Sequence, residues 1–436
     1  MKRMSMKGPF DNKIWQAVIA LLFLAVTSAG VHAAPEQVRD AQLQELLEEA
    51  ARNNPEIRVA RSEHEAAQHR VSPAGALDDP MLEAGVVNAP LASQTFRRED
   101  MTMKMLGLSQ RFPYPGKRGL RQDVAAKDAE SVSHAYQETV NRVARDVKAA
   151  YFELAFIVES ARLVEENKQV LEQFLRISES RYTVGQGTQA DVLKAQTQLT
   201  RMVDELIKLA RERRAIEAEL ARALGRDSEA SLPAPAALRL PETALQFESL
   251  RETALTVRPQ LLGLQSLIGR SEKALDLARK DYYPDFDVKL AYGQRENMLD
   301  GTRRDDMLSL TVAINLPVWR ASKRDPGVAE AIAMRNQATD MYQAQLNEVS
   351  SQLRQQVASA EQSLKSARLY ESGILPQARL AVESSLAAYR VNRVDFLTLL
   401  DSQMTVLNFQ ISYASALSTY NMALAEIGLL TGKTQF

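Results

Sequence analysis

Arg181 to Gln196 reads RYTVGQGTQADVLKAQ, and Tyr389 to Gln403 reads YRVNRVDFLTLLDSQ. Tyr182 and Tyr389, Val184 and Val391, Leu193 and Leu400, and Gln196 and Gln403 are each separated by 207 positions. In both stretches one helical pattern runs into a Val-Gly or Val-Asn turn and a second begins, so each is the tip of a helical hairpin. The chain is therefore read as two copies of one unit.

Before the first tip, Leu120 to Val184 contains neither Pro nor Gly, and Val140, Val143, Val147, Ala150, Leu154, Ile157, Ala161 and Val164 recur at three-four spacing. A helix of about 65 residues, rising about 1.5 Å each, is roughly 100 Å long. It is too long for a globular core and has to pack along partner helices. The return helix is expected from about Ala190 to Leu224, stopped by Gly225, and its copy stops at Gly432, again 207 positions on. Upstream, Asn53-Asn54-Pro55 punctuates a helical pattern from Val38 to Ala74, as Val257-Arg258-Pro259 punctuates Phe247 to Lys280. Asp79-Pro80 and Tyr283-Pro284 each follow these punctuation prolines by 25 residues and are expected to end the helices.

After those prolines the period falls to two. Phe286, Val288, Leu290 and Tyr292 share one face, while Asp285, Asp287, Lys289 and Ala291 share the other. Leu308 to Leu316 alternate with Met307 to Asn315 in the same way, and Met81 to Ala89 with Met101 to Phe112 are the first-half equivalents. Each strand has the length, about nine to eleven residues, that a tilted strand needs to cross a bilayer. Polar loops, Pro90 to Asp100 and Gln294 to Asp306, join the strands of each pair. Pro113 and Pro317 are 204 apart, so the second copy gains three residues before Tyr389, placed here in the turn Arg320 to Gly327. Residues 34–225 form the first repeat, 226–241 a proline-punctuated linker and 242–436 the second repeat.

Gly (18) and Pro (16) are sparse among 436 residues, which suits long helices. A formal net charge of −1 and a pI near 6.5 give no nucleic-acid-binding surface. Residues 1–33 read as a signal peptide, with Lys2, Arg3, Lys7 and Lys13 before the apolar run Ile14 to Val26 and a small-residue cleavage site at Val31-His32-Ala33. Its removal takes away four basic residues and one acidic residue, leaving −4. With Cys at 0 there is no disulfide, no thiolate metal site and no lipidated cysteine, and no later apolar run reaches about eighteen residues. Four strands with one lipid-compatible face cannot close a barrel alone, because open edges in hydrocarbon leave backbone groups unpaired. Copies must combine to eight, twelve or sixteen strands. The pattern implies a tube, a strand barrel in an outer membrane continued by a helical cylinder, with Asp285, Asp287 and Lys289 facing its lumen.

The repeated order, the Tyr-x-Val-(Gly/Asn) turns followed by DVLKAQ and TLLDSQ, and Ile374-Leu375-Pro376-Gln377-Ala378 together resemble the TolC-type outer membrane factor family across essentially the whole mature chain. DDPMLEAGVVNAP, MTMKM and LSQRFPYPGKR are similar to its heavy-metal branch, of the CusC and CzcC kind. The resemblance implies a homotrimer with a twelve-stranded outer membrane barrel and a twelve-helix periplasmic tunnel. Its implied partners are a periplasmic adaptor and an inner-membrane pump of the resistance-nodulation-division class. The adaptor would meet the tips Val184, Gly185 and Gln186, and Val391 and Asn392; Gln186 and Asn392 depart from the family's usual leucine and glycine. The family's acidic constriction aligns with Thr398 and Asp401, leaving one acid, whose threefold repetition would make a cation-attracting ring. Pro376, with Gly373 before it, is expected to kink the second long helix where Gln169 leaves the first unbroken, so that the second hairpin moves as a gate or the cylinder bends statically.

Met101, Met103 and Met105 alternate on one strand face, opposite the lipid stripe, where thioethers could touch Cu(I); packing in the upper barrel is the simpler reading. His64 and His69 are five apart rather than four, and His134 stands alone, so none reads as a metal ligand. Pro115-Gly116-Lys117-Arg118 lacks the earlier glycine and the following Ser/Thr of a phosphate loop and reads as a strand-to-helix corner. No nucleophile-base or paired-carboxylate constellation is present, so neither an enzyme nor a cofactor is expected. The alternatives are a periplasmic coiled-coil adaptor or scaffold without a pore, and a duct for drugs or secreted protein rather than metals.

Overall fold

The computed structural model describes residues 41–91, 95–229, 231–240 and 245–433. The expected signal peptide, residues 1–33, lies outside the described residues. The elements run α1 Ala41–Asn53, α2 Pro55–Ala74, β1 Met81–Val87, β2 Met103–Phe112, α3 Lys117–Thr183 and α4 Gln189–Leu224. The same order follows as α5 Phe247–Val257, α6 Pro259–Lys280, β3 Phe286–Gln294, β4 Met307–Ile314, α7 Asp325–Leu369, α8 Leu375–Arg390 and α9 Phe396–Thr431. The fold is mainly helical with one small antiparallel sheet.

α3, 67 residues, is the spine. It packs against α1, α2, α4, α6 and α9, and its buried stripe mixes Val143, Val147, Leu154, Ile157 and Val164 with Ala144 and Ala150, small residues that let neighbouring helices approach. Near the sheet-distal end of α1 and α2, Leu46, Leu47 and Ile57 meet Val147, Leu154 and Leu224. Towards the tips, Leu171 and Phe174 of α3 pack with Ala195 and Met202 of α4, Tyr389 of α8 and Phe396 and Leu399 of α9. Each such fully buried side chain contributes about 1.5–3 kcal/mol, so one cluster spanning four helices holds the two hairpins together.

Local chemistry sets the ends. Asn54 caps α2 by accepting from Glu56 N at 2.7 Å and Ile57 N at 3.3 Å, while its amide donates to Ala223 O at 2.7 Å and pins this cap to the end of α4. Gly225 and Gly432 end α4 and α9 in the left-handed conformation, at φ 74° and 69°. Asp79-Pro80 and Tyr283-Pro284 do not end the preceding helices. α2 stops at Ala74, with Gly75 N–H bonded back to Ser72 and Pro73 carbonyls, and α6 stops at Lys280; the prolines instead precede the strands. β1 ends at Val87 because Asn88 turns the chain at φ 57°, and Thr102 Oγ1 donates to Asn88 O at 2.7 Å to close the turn before β2.

The sheet order is β1-β2-β3-β4, all antiparallel, so the two halves meet at β2 and β3. Among the described residues β1 and β4 have no strand beyond them, and every residue of β4 is exposed. Among the described residues no helix is long and apolar enough to cross a membrane. The length gained by the second half does not sit wholly at Arg320 to Gly327. Arg320–Arg324 is a π-helical turn, and a second lies at Tyr370–Ile374, each taking in one residue more than an α turn.

Gly225→Ala is expected to lose about 2 kcal/mol, because the residue is left-handed and its Cβ would stand 2.6 Å from Asn53 O. Gly119→Ala, in α3 with open space around it, should instead gain about 0.5–1 kcal/mol. Denaturation midpoints of the two variants, moving in opposite directions, are the check.

Candidate functional site

The register sorts the sheet into two faces. Leu82 and Val86, Leu106 and Leu108, Leu290 and Tyr292, and Leu308, Leu310, Val312 and Ile314 lie on one face, and all are exposed. The opposite face carries Glu83, Ser109, Arg111, Asp287, Lys289, Ser309 and Thr311. There Lys289 crosses the width of β2 to pair with Glu83, and it can do so because Gly107 lies between them: a Cβ at Gly107 would be 3.3 Å from Lys289 Cε. Below the aliphatic face, Leu316, Val318 and Trp319 continue the exposed apolar surface, and Trp319 is 72% exposed. An exposed Trp beside an aliphatic band suits the boundary between hydrocarbon and water.

Asp287 and Lys289 sit on the polar face as the alternation implied. Asp285 does not. It precedes β3, is only 6% exposed, and stands at the corner where the sheet meets the helices. Its carboxylate accepts from Lys117 Nζ at 2.9 Å, Tyr114 N at 2.9 Å and Arg111 Nη2 at 3.3 Å, while Asn315 Oδ1 accepts from Asp285 N at 2.5 Å. Lys117, 3% exposed, also reaches Asp281 at 3.2 Å and donates to Tyr283 O. Burial alone would raise the Asp285 carboxyl, but the Tyr114 N–H and the Lys117 ammonium outweigh it and hold the group below its ordinary value. The corner expected at Pro115 to Arg118 is thus real, with Gly116 left-handed at φ 91° before α3, but its lysine is the buried centre of an ion cluster. Sequence reading missed this because Lys117 and Asp285 are 168 positions apart and period-two alternation cannot tell a strand residue from the residue just before a strand.

At the other end of α3, Val184, Gly185, Gln186, Val391 and Asn392 are all exposed on the two tips. Asn392 takes the left-handed conformation at φ 61°, as Gly185 does at φ 70°, and both turns close onto the last helical residues, Gln186 N on Arg181 O at 2.8 Å and Arg393 N on Ala388 O at 2.9 Å. The tips are tied to each other by Arg181. Its guanidinium lies 4.5 Å from the Tyr389 ring centre and donates to Tyr389 O at 2.5 Å. Burial pushes the Tyr389 hydroxyl up, and nearby Arg181 partly counters it.

Thr398 and Asp401 are separated in role. Thr398 donates through its backbone N and Oγ1 to Asp395, which caps α9 and is held below the ordinary carboxylate value by Thr398. Asp401, one turn on, is exposed and forms no ion pair among the described residues. Asp395 was not singled out from sequence; its cap position before Phe396 was the available signal. Further up, Asn167 is buried at a junction of three helices, accepting from Gln403 Nε2 at 2.8 Å and directing its amide at the sulfurs of Met202, 3.6 Å, and Met404, 3.8 Å. Pro376 is the second residue of α8, directly after the π turn Tyr370–Ile374. The proline therefore does not break the rod: the π turn takes up the displaced backbone bonding, with Glu371 accepting from Tyr413 of α9.

Met103 and Met105 lie in β2 on the polar face, but Met101 lies before the strand in an exposed turn, because the Asn88–Thr102 closure ends the pairing. His64 stacks with Tyr136 at 6.3 Å, and no group of three His, Cys, Asp or Glu among the described residues could hold a metal.

The outer membrane efflux protein family model matches residues 46–226, which span α1 to the end of α4. Over these four helices and two strands the chain is similar to the outer membrane efflux protein family. Among curated proteins it is 22% identical to the outer membrane efflux protein BepC of Brucella suis over 65% of this chain and 61% of BepC, so it spans less than two thirds of that relative. It is 24% identical to the cobalt-zinc-cadmium resistance protein CzcC of Cupriavidus metallidurans over 94% of this chain and 95% of CzcC. Of solved structures, CusC, described with reference to transmembrane channel formation, superposes with a TM-score of 0.77 at 15% identity, covering 90% of this chain and 92% of CusC. CzcC and CusC are the two names of the heavy-metal branch that the strand motifs resembled.

Asp285→Asn is expected to cost about 3 kcal/mol or more at neutral pH, since it leaves Lys117 buried with only the half-exposed Asp281. The carboxyl of Asp285 is lowered in the fold, so its stabilisation is present above the ordinary carboxylate range and is lost as pH falls below it. Thermal unfolding across pH 3 to 7 should therefore show wild type and variant converging at the acid end.

Proposed function

We propose that this protein is the outer membrane exit duct of a tripartite efflux system, a passive channel for cargo, heavy-metal cations in first place, handed over by an inner-membrane pump of the resistance-nodulation-division class and a periplasmic adaptor. The observation that carries this reading is the sheet: four strands with one exposed aliphatic face, one charged face and two open edges, continuing through the Lys117 corner into a helix of 67 residues. Open edges in hydrocarbon are untenable, so the β1 and β4 edges require other copies. Three copies give twelve strands and a closed barrel with the charged face inward, and their helices form the tunnel. The two halves, 34–225 and 242–436, are in this reading tandem repeats joined by the linker 226–241.

The exposed tips at Val184, Gly185, Gln186, Val391 and Asn392 are then the adaptor's docking points, roughly 100 Å of helix from the barrel. Asp401, exposed and free of ion pairs among the described residues, suits a cation-attracting ring about the threefold axis, whereas Thr398 serves the α9 cap. The π turn before Pro376 interrupts the α-helical bonding between α7 and α8 where α3 is continuous, and on this reading the second hairpin is the moving one. The heavy-metal cargo is supported by the likeness to CzcC over nearly the whole chain. A periplasmic adaptor without a pore is disfavoured by the exposed aliphatic strand face, which has no use in water.

The test is reconstitution. Purified from outer membrane fractions, the protein should run as a heat-sensitive trimer and conduct cations in planar bilayers, with Asp401→Asn lowering cation selectivity. Soluble periplasmic monomer would overturn the duct, and unchanged selectivity would remove the ring. Pro376→Ala with transport and conductance both intact would remove the gating role.

A further inference from the structure

The outer end of the polar sheet face carries a second feature that the duct does not require. Gly293 of β3 stands directly between Met105 of β2 and Met307 of β4, so two methionines flank a position with no side chain. A third covers it: a Cβ built at Gly293 would lie 2.5 Å from the sulfur of Met103, so the Met103 thioether occupies the space a side chain would fill. Met105 and Met307 are two strand spacings apart, about 10 Å between backbones, which their extended side chains can close over the glycine gap. Met103 and Met105 are partly buried and Met307 is 39% exposed, so the group is sheltered yet open to solute.

Thioethers are neutral, soft donors that favour monovalent d10 cations and bind hard or borderline divalent ions poorly. No imidazole or carboxylate cluster that could hold a metal accompanies them among the described residues. The buried Met202 and the half-buried Met404 are not equivalent, since the Asn167 amide points at both sulfurs. We propose that Met103, Met105 and Met307 form a soft-cation contact site around Gly293 that takes Cu(I) or Ag(I) at the mouth of the duct. The placement at a mouth rests on the channel reading above; the site itself does not.

The probe is Ag(I), added as nitrate to the purified full-length protein in detergent and followed by calorimetry, with Zn(II) as comparison. Wild type should bind Ag(I), and the combined Met103→Leu, Met105→Leu, Met307→Leu variant should bind it at least about tenfold more weakly, while Met101→Leu and Met81→Leu together change nothing. Leu replaces Met at nearly constant volume, so unfolding midpoints should be unchanged. In bilayers, Ag(I) should reduce the potassium current of wild type and not of the triple variant. Equal Ag(I) affinity in wild type and triple variant, or Zn(II) bound as tightly as Ag(I), overturns the site. A channel that conducts potassium but neither binds nor is blocked by Ag(I) removes the site and leaves the duct. Ag(I) binding lost in the triple variant of a protein that forms no channel keeps the site and removes the duct.

Discussion

The ammonium of Lys117, 2.9 Å from Asp285 and 3.2 Å from Asp281, joins the two halves of the chain at the corner between sheet and helices. Lys117 starts the 67-residue α3, Arg111 and Tyr114 belong to the same corner, and Asp281, Tyr283, Asp285 and Asn315 come from the second half. A buried ion pair is not by itself a large gain in stability, because desolvation offsets much of the attraction. Its value is directional. Removing either partner strands a charge, so alternatives in which β3 pairs elsewhere or α3 leaves at another angle are penalised. The β2–β3 pairing, which fuses two strand pairs into one sheet, begins at this cluster, with Phe112 opposite Phe286.

From that corner two different surfaces diverge. Upward, the sheet separates an aliphatic face, with Lys104 at its outer end, from a charged one by alternation, and glycines at 107 and 293 open lanes on the charged face for Lys289 and Met103. Downward, α3 collects neighbours along its whole length, and the tips are held by a cluster drawn from α3, α4, α8 and α9, with Arg181 seated on Tyr389. The buried Asn167 sits within this packing as a polar point with one set of partners, Gln403, Met202 and Met404, which fixes the sliding register of three helices better than apolar contacts would. The π turn Tyr370–Ile374 and Pro376 interrupt the second long rod between α7 and α8, where α3 runs unbroken.

Much of this was readable in advance. Hairpin tips, long helices and alternating strands depend on near-neighbour spacing, and glycine stops depend on one residue's allowed φ, so RYTVGQGTQADVLKAQ and Gly225 announced themselves. Boundaries were less secure: α2 ends at Ala74, capped by Gly75 bonding back to Ser72 and Pro73, rather than at Pro80, and Met101 falls outside β2 because Thr102 bonds across to Asn88. Asp285 was placed on the lumen face by its parity, and the fold instead buries it under Lys117.

The sequence by itself determined the kinds of element, their order, the two-fold repetition and the separation of apolar from polar strand faces, because each is a property of periods two to four residues long or of direct self-comparison. Only the tertiary structure decided which side chains meet across about 170 to 240 positions: Lys117 with Asp285, Arg181 with Tyr389, Asn167 with Met404, and three methionines around Gly293. Such meetings are set by strand register and helix packing, in which a slip of one residue exchanges every partner and moves every side chain to the other face; periodicity names the faces, and only the assembled fold names the partners.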